Sequence, residues 1–108
     1  MNSLSSSASS HLKWLNDLQA QLSGLGVAVL EHNYLLLLMG SFSLVVGNAH
    51  RRLRFDWDGR EFFLNIQQCH CENQGTPQVW SHLKNTRISS PDSVEVFIER
   101  QCSEVFSA

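Results

Sequence analysis

Nowhere in its 108 residues does this chain hold the run of about 18–20 apolar residues that a membrane-spanning helix requires. The most apolar segment, residues 34–39, is bounded by Asn33 and Gly40 and is far too short. The opening Met-Asn-Ser-Leu, followed by serines, lacks the basic and apolar regions of a secretory leader. A cytosolic location is the resulting expectation. Cysteine is sparse and odd in number, with Cys69, Cys71 and Cys102. Without a leader, that pattern fits reduced thiols better than a disulfide framework. A basic excess is also missing: the formal net charge is −2, which argues against a dedicated nucleic-acid binder. No internal repeat and no linker divides the chain.

What remains is the composition of one ordinary small domain, 43% hydrophobic and 17% charged, enough for a single core. Residues 1–9 are Ser-rich, with little that is apolar beyond Leu4 and Ala8, and read as a disordered lead-in. Residues 10–108 read as one α+β domain. A helix is predicted over residues 10–23, with Ser10 as its cap and Leu12, Leu15, Leu18 and Leu22 as its apolar stripe. Gly24 is placed to stop it in the left-handed conformation. Trp14 sits beside the stripe, where packing at the edge of the core is the simplest reading.

Strand-like sequence follows. Residues 27–30 form a short β-prone run. Gly40-Ser41 then carries the type II′ hairpin signature, joining residues 34–39 to residues 42–46. Pairing outward from that turn sets Met39 opposite Phe42, Leu37 opposite Leu44 and Leu35 opposite Val46, with Leu36 and Leu38 on the other face. Both faces are largely apolar, so the hairpin is expected to be covered on both sides, with a partner subunit as one possible second cover.

Asp58-Gly59 is a stronger turn signal, because a type I′ turn needs positive φ at both central positions. It predicts that Trp57 faces Arg60, Phe55 faces Phe62 and Leu53 faces Leu64. One face then collects Leu53, Phe55, Trp57, Phe62, Leu64 and Ile66. The reverse face collects Arg52, Arg54, Asp56, Glu61, Phe63 and Asn65. Residues 69–78 read as a loop, and residues 79–84 as a helical turn or an edge strand. Ser90-Pro91 opens a last helix striped by Val94, Phe97, Ile98, Cys102 and Val105. The expected fold is therefore an N-terminal helix, an antiparallel meander of four or five strands, and a C-terminal helix packed on one face of the sheet.

Several groupings bear on chemistry. Cys69-His70-Cys71 places two thiols on one side of an extended chain, and the predicted register brings Cys69 near His50. Cys69, Cys71 and His50 are thus candidate zinc ligands. The spacing lacks the two-residue gap of the common zinc knuckle, and no second Cys pair exists, so strand-end thiols and exposed histidines are the simpler reading. A cysteine nucleophile would need a base such as His50 or His82, and no hydrolase motif surrounds either cysteine. Asp56, Asp58 and Glu61 gather at a hairpin tip beside Arg54 and Arg60, whereas a general acid needs a cleft. Gly24-Leu25-Gly26 ends a helix rather than opening one, so it is no phosphate loop. Arg51, Arg52, Arg54 and Arg60 near Trp57 and Phe63 could suit single-stranded nucleic acid, but interleaved acids make a solvated mixed-charge face the better account.

The leading functional expectation is a non-catalytic protein-interaction domain, with a homodimer as one form of it, no cofactor, and a partner contacted through Arg52, Arg54, Phe63, Leu36 and Leu38. In outline, a mildly acidic helix–meander–helix domain of this size is similar to bacterial type III secretion chaperones and to some toxin-immunity proteins, a likeness of architecture. The alternatives are a metal- or thiol-dependent regulator built on Cys69, Cys71 and a histidine, and a small Cys/His enzyme.

Overall fold

The computed structural model describes residues 3–35, 40–70 and 79–107. The elements run α1 (Ser3–Ser23), β1 (Ala28–Leu35), β2 (Ser41–Gly47), β3 (Arg51–Asp58), β4 (Phe63–His70), β5 (Ser81–Arg87) and α2 (Pro91–Phe106). The five strands form one antiparallel sheet in sequence order. Residues 81–87, ambiguous in the sequence, form the edge strand against β4.

α1 begins at Ser3, where the sequence pointed to an unstructured lead-in through residue 9. No Gly or Pro interrupts residues 3–10, and each residue added to an existing helix gains a hydrogen bond without a new nucleation cost. The buried side of α1 is His11, Trp14, Leu18 and Leu22. Leu12, expected in the stripe, is 54% exposed. The true stripe starts one residue earlier than its leucines suggest. The stop also differs. Gly24 keeps an ordinary φ, and the left-handed residue is Gly26 at φ 72°. The intervening turn is closed by the Leu25 and Val27 amides, both donating to the Leu22 carbonyl at 2.9 Å. α2 begins as expected, with Ser90 extended at the N-cap and Pro91 after it. The Ser90 hydroxyl pairs with the Ser93 hydroxyl at 2.9 Å rather than with a backbone amide.

The core lies between the two helices and one sheet face. Leu44 and Val46 of β2, Leu53 and Phe55 of β3, and Leu64 and Ile66 of β4 are completely buried, together with Ile98 of α2. Leu18, Leu22 and Cys102 are all but buried with them. Alternation with period two is cleanest on β3 and in the first half of β4, and it delivers the main apolar face; Val45 and Cys69 are buried on the other side.

Both predicted hairpin registers need correction. In the β3–β4 hairpin, Asp58 pairs with Phe63 and Trp57 with Leu64, so Gly59–Phe62 is a four-residue loop instead of a two-residue turn. Asp58 explains the difference. Its Oδ1 accepts from the Arg60 amide at 2.9 Å and the Glu61 amide at 3.3 Å, an Asx turn that competes with the tight type I′ turn. Phe62 then exits at φ 52°, is 41% exposed, and touches only the edge of the core, its ring 6.1 Å from Trp57. It is not a core residue. Because the pairing moved by an even number of residues, with Trp57 opposite Leu64 instead of Arg60, strand parity survived, and Leu53, Phe55, Trp57, Leu64 and Ile66 all face inward as predicted.

The first hairpin moved further. Tyr34 pairs with Phe42 and Leu35 with Ser41, rather than Met39 with Phe42 and Leu35 with Val46. Residues 28–35 form one continuous strand because His32 and Tyr34 find a buried partner in His11 of α1. The predicted partners Leu36, Leu37, Leu38 and Met39 lie outside the described residues. Gly40 closes this hairpin at φ 75°, and a Cβ there would come within 3.2 Å of the Tyr34 hydroxyl. Bulges interrupt the ladders between Val29 and Glu31 and between Ile66 and Gln67.

Gly47, at the end of β2, is required for a different reason. A Cβ there would lie 2.6 Å from the Arg51 carbonyl oxygen and 3.0 Å from the Arg52 Cα, both backbone atoms. Gly47→Ala is expected to lower stability by about 2–3 kcal/mol through overpacking, whereas Gly24→Ala, with its nearest neighbour at 3.4 Å, changes stability little; urea unfolding of the two variants compares them. The corrected register is tested by a second pair. Phe55→Ala should cost about 3–5 kcal/mol, while Phe62→Gly should be neutral or slightly stabilising, because relief of a left-handed residue is worth about 1 kcal/mol. Equal losses for both would restore the two-residue turn.

Candidate functional site

Two places in the molecule gather chemistry-bearing side chains. The first is the sheet face away from the helices. Arg52, Arg54 and Asp56 of β3 alternate outward there, beside Phe63, Asn65 and Gln67 of β4. Glu61, expected on this face, falls instead in the β3–β4 loop. The Arg54 Nε lies 3.3 Å from Asp56 Oδ2, both side chains being more than a third exposed. Such a pair is worth at most about 1 kcal/mol and leaves both groups available to a partner. Near the loop end, an open depression of about 320 Å³ is lined by Asp56, Trp57, Asp58, Arg60, Phe63 and Asn65. It is a shallow surface feature, and Asp58 within it is committed to its turn.

The sequence candidates scatter around this face. Arg52, Arg54 and Phe63 share it, as expected. Leu36, Leu38 and Cys71 lie outside the described residues. Cys69 faces the same side as Arg52 but is buried. His50 is exposed in the β2–β3 loop, its amide donating to Asn48 Oδ1 at 2.8 Å, and His82 is exposed on β5. Cys69 pairs across the ladder with Arg52. Among the described residues, no three His, Cys, Asp or Glu side chains come together as metal ligands. Cys102 is sealed in the core, and burial pushes its thiol up to about 12, with Glu99 adding to the effect. A thiol that stays protonated is a poor nucleophile.

The second place escaped the sequence reading. His11 of α1 and His32 of β1 bring their Nε2 atoms to 2.7 Å. The ring centroids are 4.9 Å apart and the planes differ by only 22°. With a nitrogen contact that short, the rings meet edge to edge, so one N–H points along the contact at the other ring's lone pair. Around His11 stand Tyr34, stacked at 4.4 Å, Phe42, tilted at 4.7 Å, and Trp14 at 5.5 Å. The Trp14 indole donates to Glu99 Oε1 on α2 at 3.0 Å, tying the same corner of α1 to the second helix. Gln19 Oε1 accepts the Val29 amide at 3.1 Å, a further link from α1 to β1. The signal for His11 was its spacing: positions 11, 14, 18 and 22 fall on one helical face. The leucine at position 12 drew the stripe to the wrong phase.

The aromatic enclosure desolvates His11 and lowers its pKa to about 4, with repulsion from His32 adding to the shift. Burial lowers His32 as well. The pair is therefore neutral near pH 7, with a single hydrogen bond between the rings.

No protein-family model, no curated protein and no solved structure matches the chain. Among the described residues, no helix is long and apolar enough to cross a membrane.

The lowered pKa fixes a pH dependence. An unfolded His11 takes up a proton near its ordinary 6.5, whereas the folded one refuses it until about 4. The contribution to stability is complete above 6.5, is lost as pH falls between 6.5 and 4, and changes no further below that. Its size is up to about 3 kcal/mol. Urea midpoints measured from pH 7.5 to 4 should fall over this interval, and His11→Phe should flatten the decline.

Proposed function

We propose that this domain is a non-catalytic protein-interaction module of the cytoplasm, and that it meets its partner, either another protein or a second copy of itself, through the sheet face away from the helices. The observation that supports this most directly is the depression on that face, where Phe63 shares the lining with Arg60 and with Asp56, the partner of Arg54. An aromatic side chain beside arginines is the composition from which interface anchors are drawn. The distribution of reactive groups favours the same reading. Cys102 is protonated and buried, the His11–His32 pair is enclosed by aromatic rings, and Asp58 is spent on its turn. None of these faces a cleft where a substrate could reach a base and an electrophile together.

The double substitution Arg54→Glu/Phe63→Ala tests the proposal. Both positions are at the surface or half-buried, so the fold should persist with an unchanged far-UV spectrum. Native protein is expected to retain a partner in affinity capture from the cells that make it, or to self-associate in a light-scattering concentration series. The variant should weaken that association by about tenfold or more. Identical behaviour of the variant and the native protein would overturn the assignment of this face.

A further inference from the structure

The contact between His11 and His32 joins two elements that have no other reason to meet at that point. The half of α1 before Leu18 reaches the sheet through His11, whose ring spans from the helix to β1 and packs against Tyr34 and Phe42, and through Trp14, which packs on Phe42 and donates to Glu99. Farther along, α1 is held independently by Leu18 and Leu22, which are 1% exposed, and by the Gln19–Val29 hydrogen bond. The attachment of α1 is thus divided. One part is apolar and indifferent to protons, and the other is a nitrogen-to-nitrogen contact with room for one proton and not two.

We propose that the His11–His32 pair is a proton-operated clasp: a charge on both imidazoles sets two protons in one nitrogen-to-nitrogen contact and releases the N-terminal half of α1 from β1 and β2, while the sheet and the Leu18–Leu22 anchorage stay closed.

The groups facing the pair support a local event. From β1 come His32 itself and the Tyr34 ring. From β2 comes only Phe42, without charge. From α2 comes one carboxylate, Glu99, already occupied by the Trp14 indole, with Glu95 half-buried one turn earlier. On α1 itself, Lys13 and Asp17 are exposed, and Glu31 of β1 is also exposed. Among the described residues, no carboxylate is therefore placed against the imidazoles to receive a second proton's charge. A doubly charged pair would have to separate, and solvent is nearest on the side of His32, the more exposed of the two rings. Opening also frees Trp14 from Phe42, whose rings are 6.0 Å apart when closed.

The size of the effect follows from the two protonation equilibria. With about 4 for the closed state and 6.5 for a released ring, the closed form loses ground to the open form by about 30-fold between pH 7.5 and pH 5. Hydrogen exchange of the intact chain, corrected for the intrinsic pH dependence of exchange, reads this directly. Protection factors of amides in the first half of α1 should drop by about that factor at pH 5, while those of β2, β3 and β4 hold. The same samples give the imidazole carbon-bound proton shifts, and in the closed protein His11 should still be neutral at pH 5 and titrate only near 4. In His11→Phe, which keeps an aromatic ring at the site, the drop should disappear. The clasp is overturned by unchanged α1 protection at pH 5, by sheet amides losing protection in step with α1, or by a His11 that titrates near its ordinary 6.5 while α1 stays protected. The last two readouts need only the native protein, so they decide the matter even where the variant does not fold.

Discussion

The burial of alternate residues on the central strand is the constraint from which the remaining structure follows. Leu53 and Phe55 are fully buried and Trp57 nearly so. Each neighbouring strand contributes two completely buried side chains to the same face, Leu44 and Val46 on one side and Leu64 and Ile66 on the other. A surface that apolar needs a cover, and the two helices provide it with Leu18, Leu22, Val94, Ile98 and Cys102. At roughly 25 cal/mol per Å² of apolar surface removed from water, this layer dominates the energetics. Surface pairs such as Arg54–Asp56 add little beside it.

That constraint also explains how much of the fold the sequence disclosed. Alternation in residues 51–57 and 64–66 declared which side chains face inward, and it did so whether the connecting loop held two residues or four. Parity survived the change of register, so Phe62 left the core and Glu61 passed into the loop while the strand residues kept their faces. The loop length itself was hidden, because Asp58-Gly59 satisfies the signature of a tight turn while the Asp58 carboxylate also satisfies two amides of a longer one. The apolar run near residues 34–39 misled for a related reason. Length and hydrophobicity argued for a strand there, yet pairing was decided upstream by His32 and Tyr34, whose burial depends on a helix residue more than twenty positions away. No local pattern encodes that contact.

The candidate sites were legible to different degrees. Arg52, Arg54 and Phe63 share a face simply because strand residues two apart point the same way and β4 follows the same rule. The buried imidazole pair was invisible because histidine is read by default as a surface residue, and because Leu12 makes a plausible stripe of its own. Among the described residues, the groups whose protonation burial alters, His11, His32 and Cys102, all lie on the helix side of the sheet.

The sheet has two open edges, β1 and β5, and the irregularities in its ladders fall beside them. A bulge interrupts β1 between Val29 and Glu31, and another interrupts the pairing of β4 with β5 between Ile66 and Gln67. β1 carries Glu31 and Asn33 toward solvent, and β5 carries Lys84 and Arg87. Bulges and charges of this kind spoil the straight row of unsatisfied amides that another strand would need in order to add on. The sheet is thereby guarded against lengthening into ribbons or fibres through its own backbone. Margins closed in this way present side chains to the surroundings rather than a free backbone ladder.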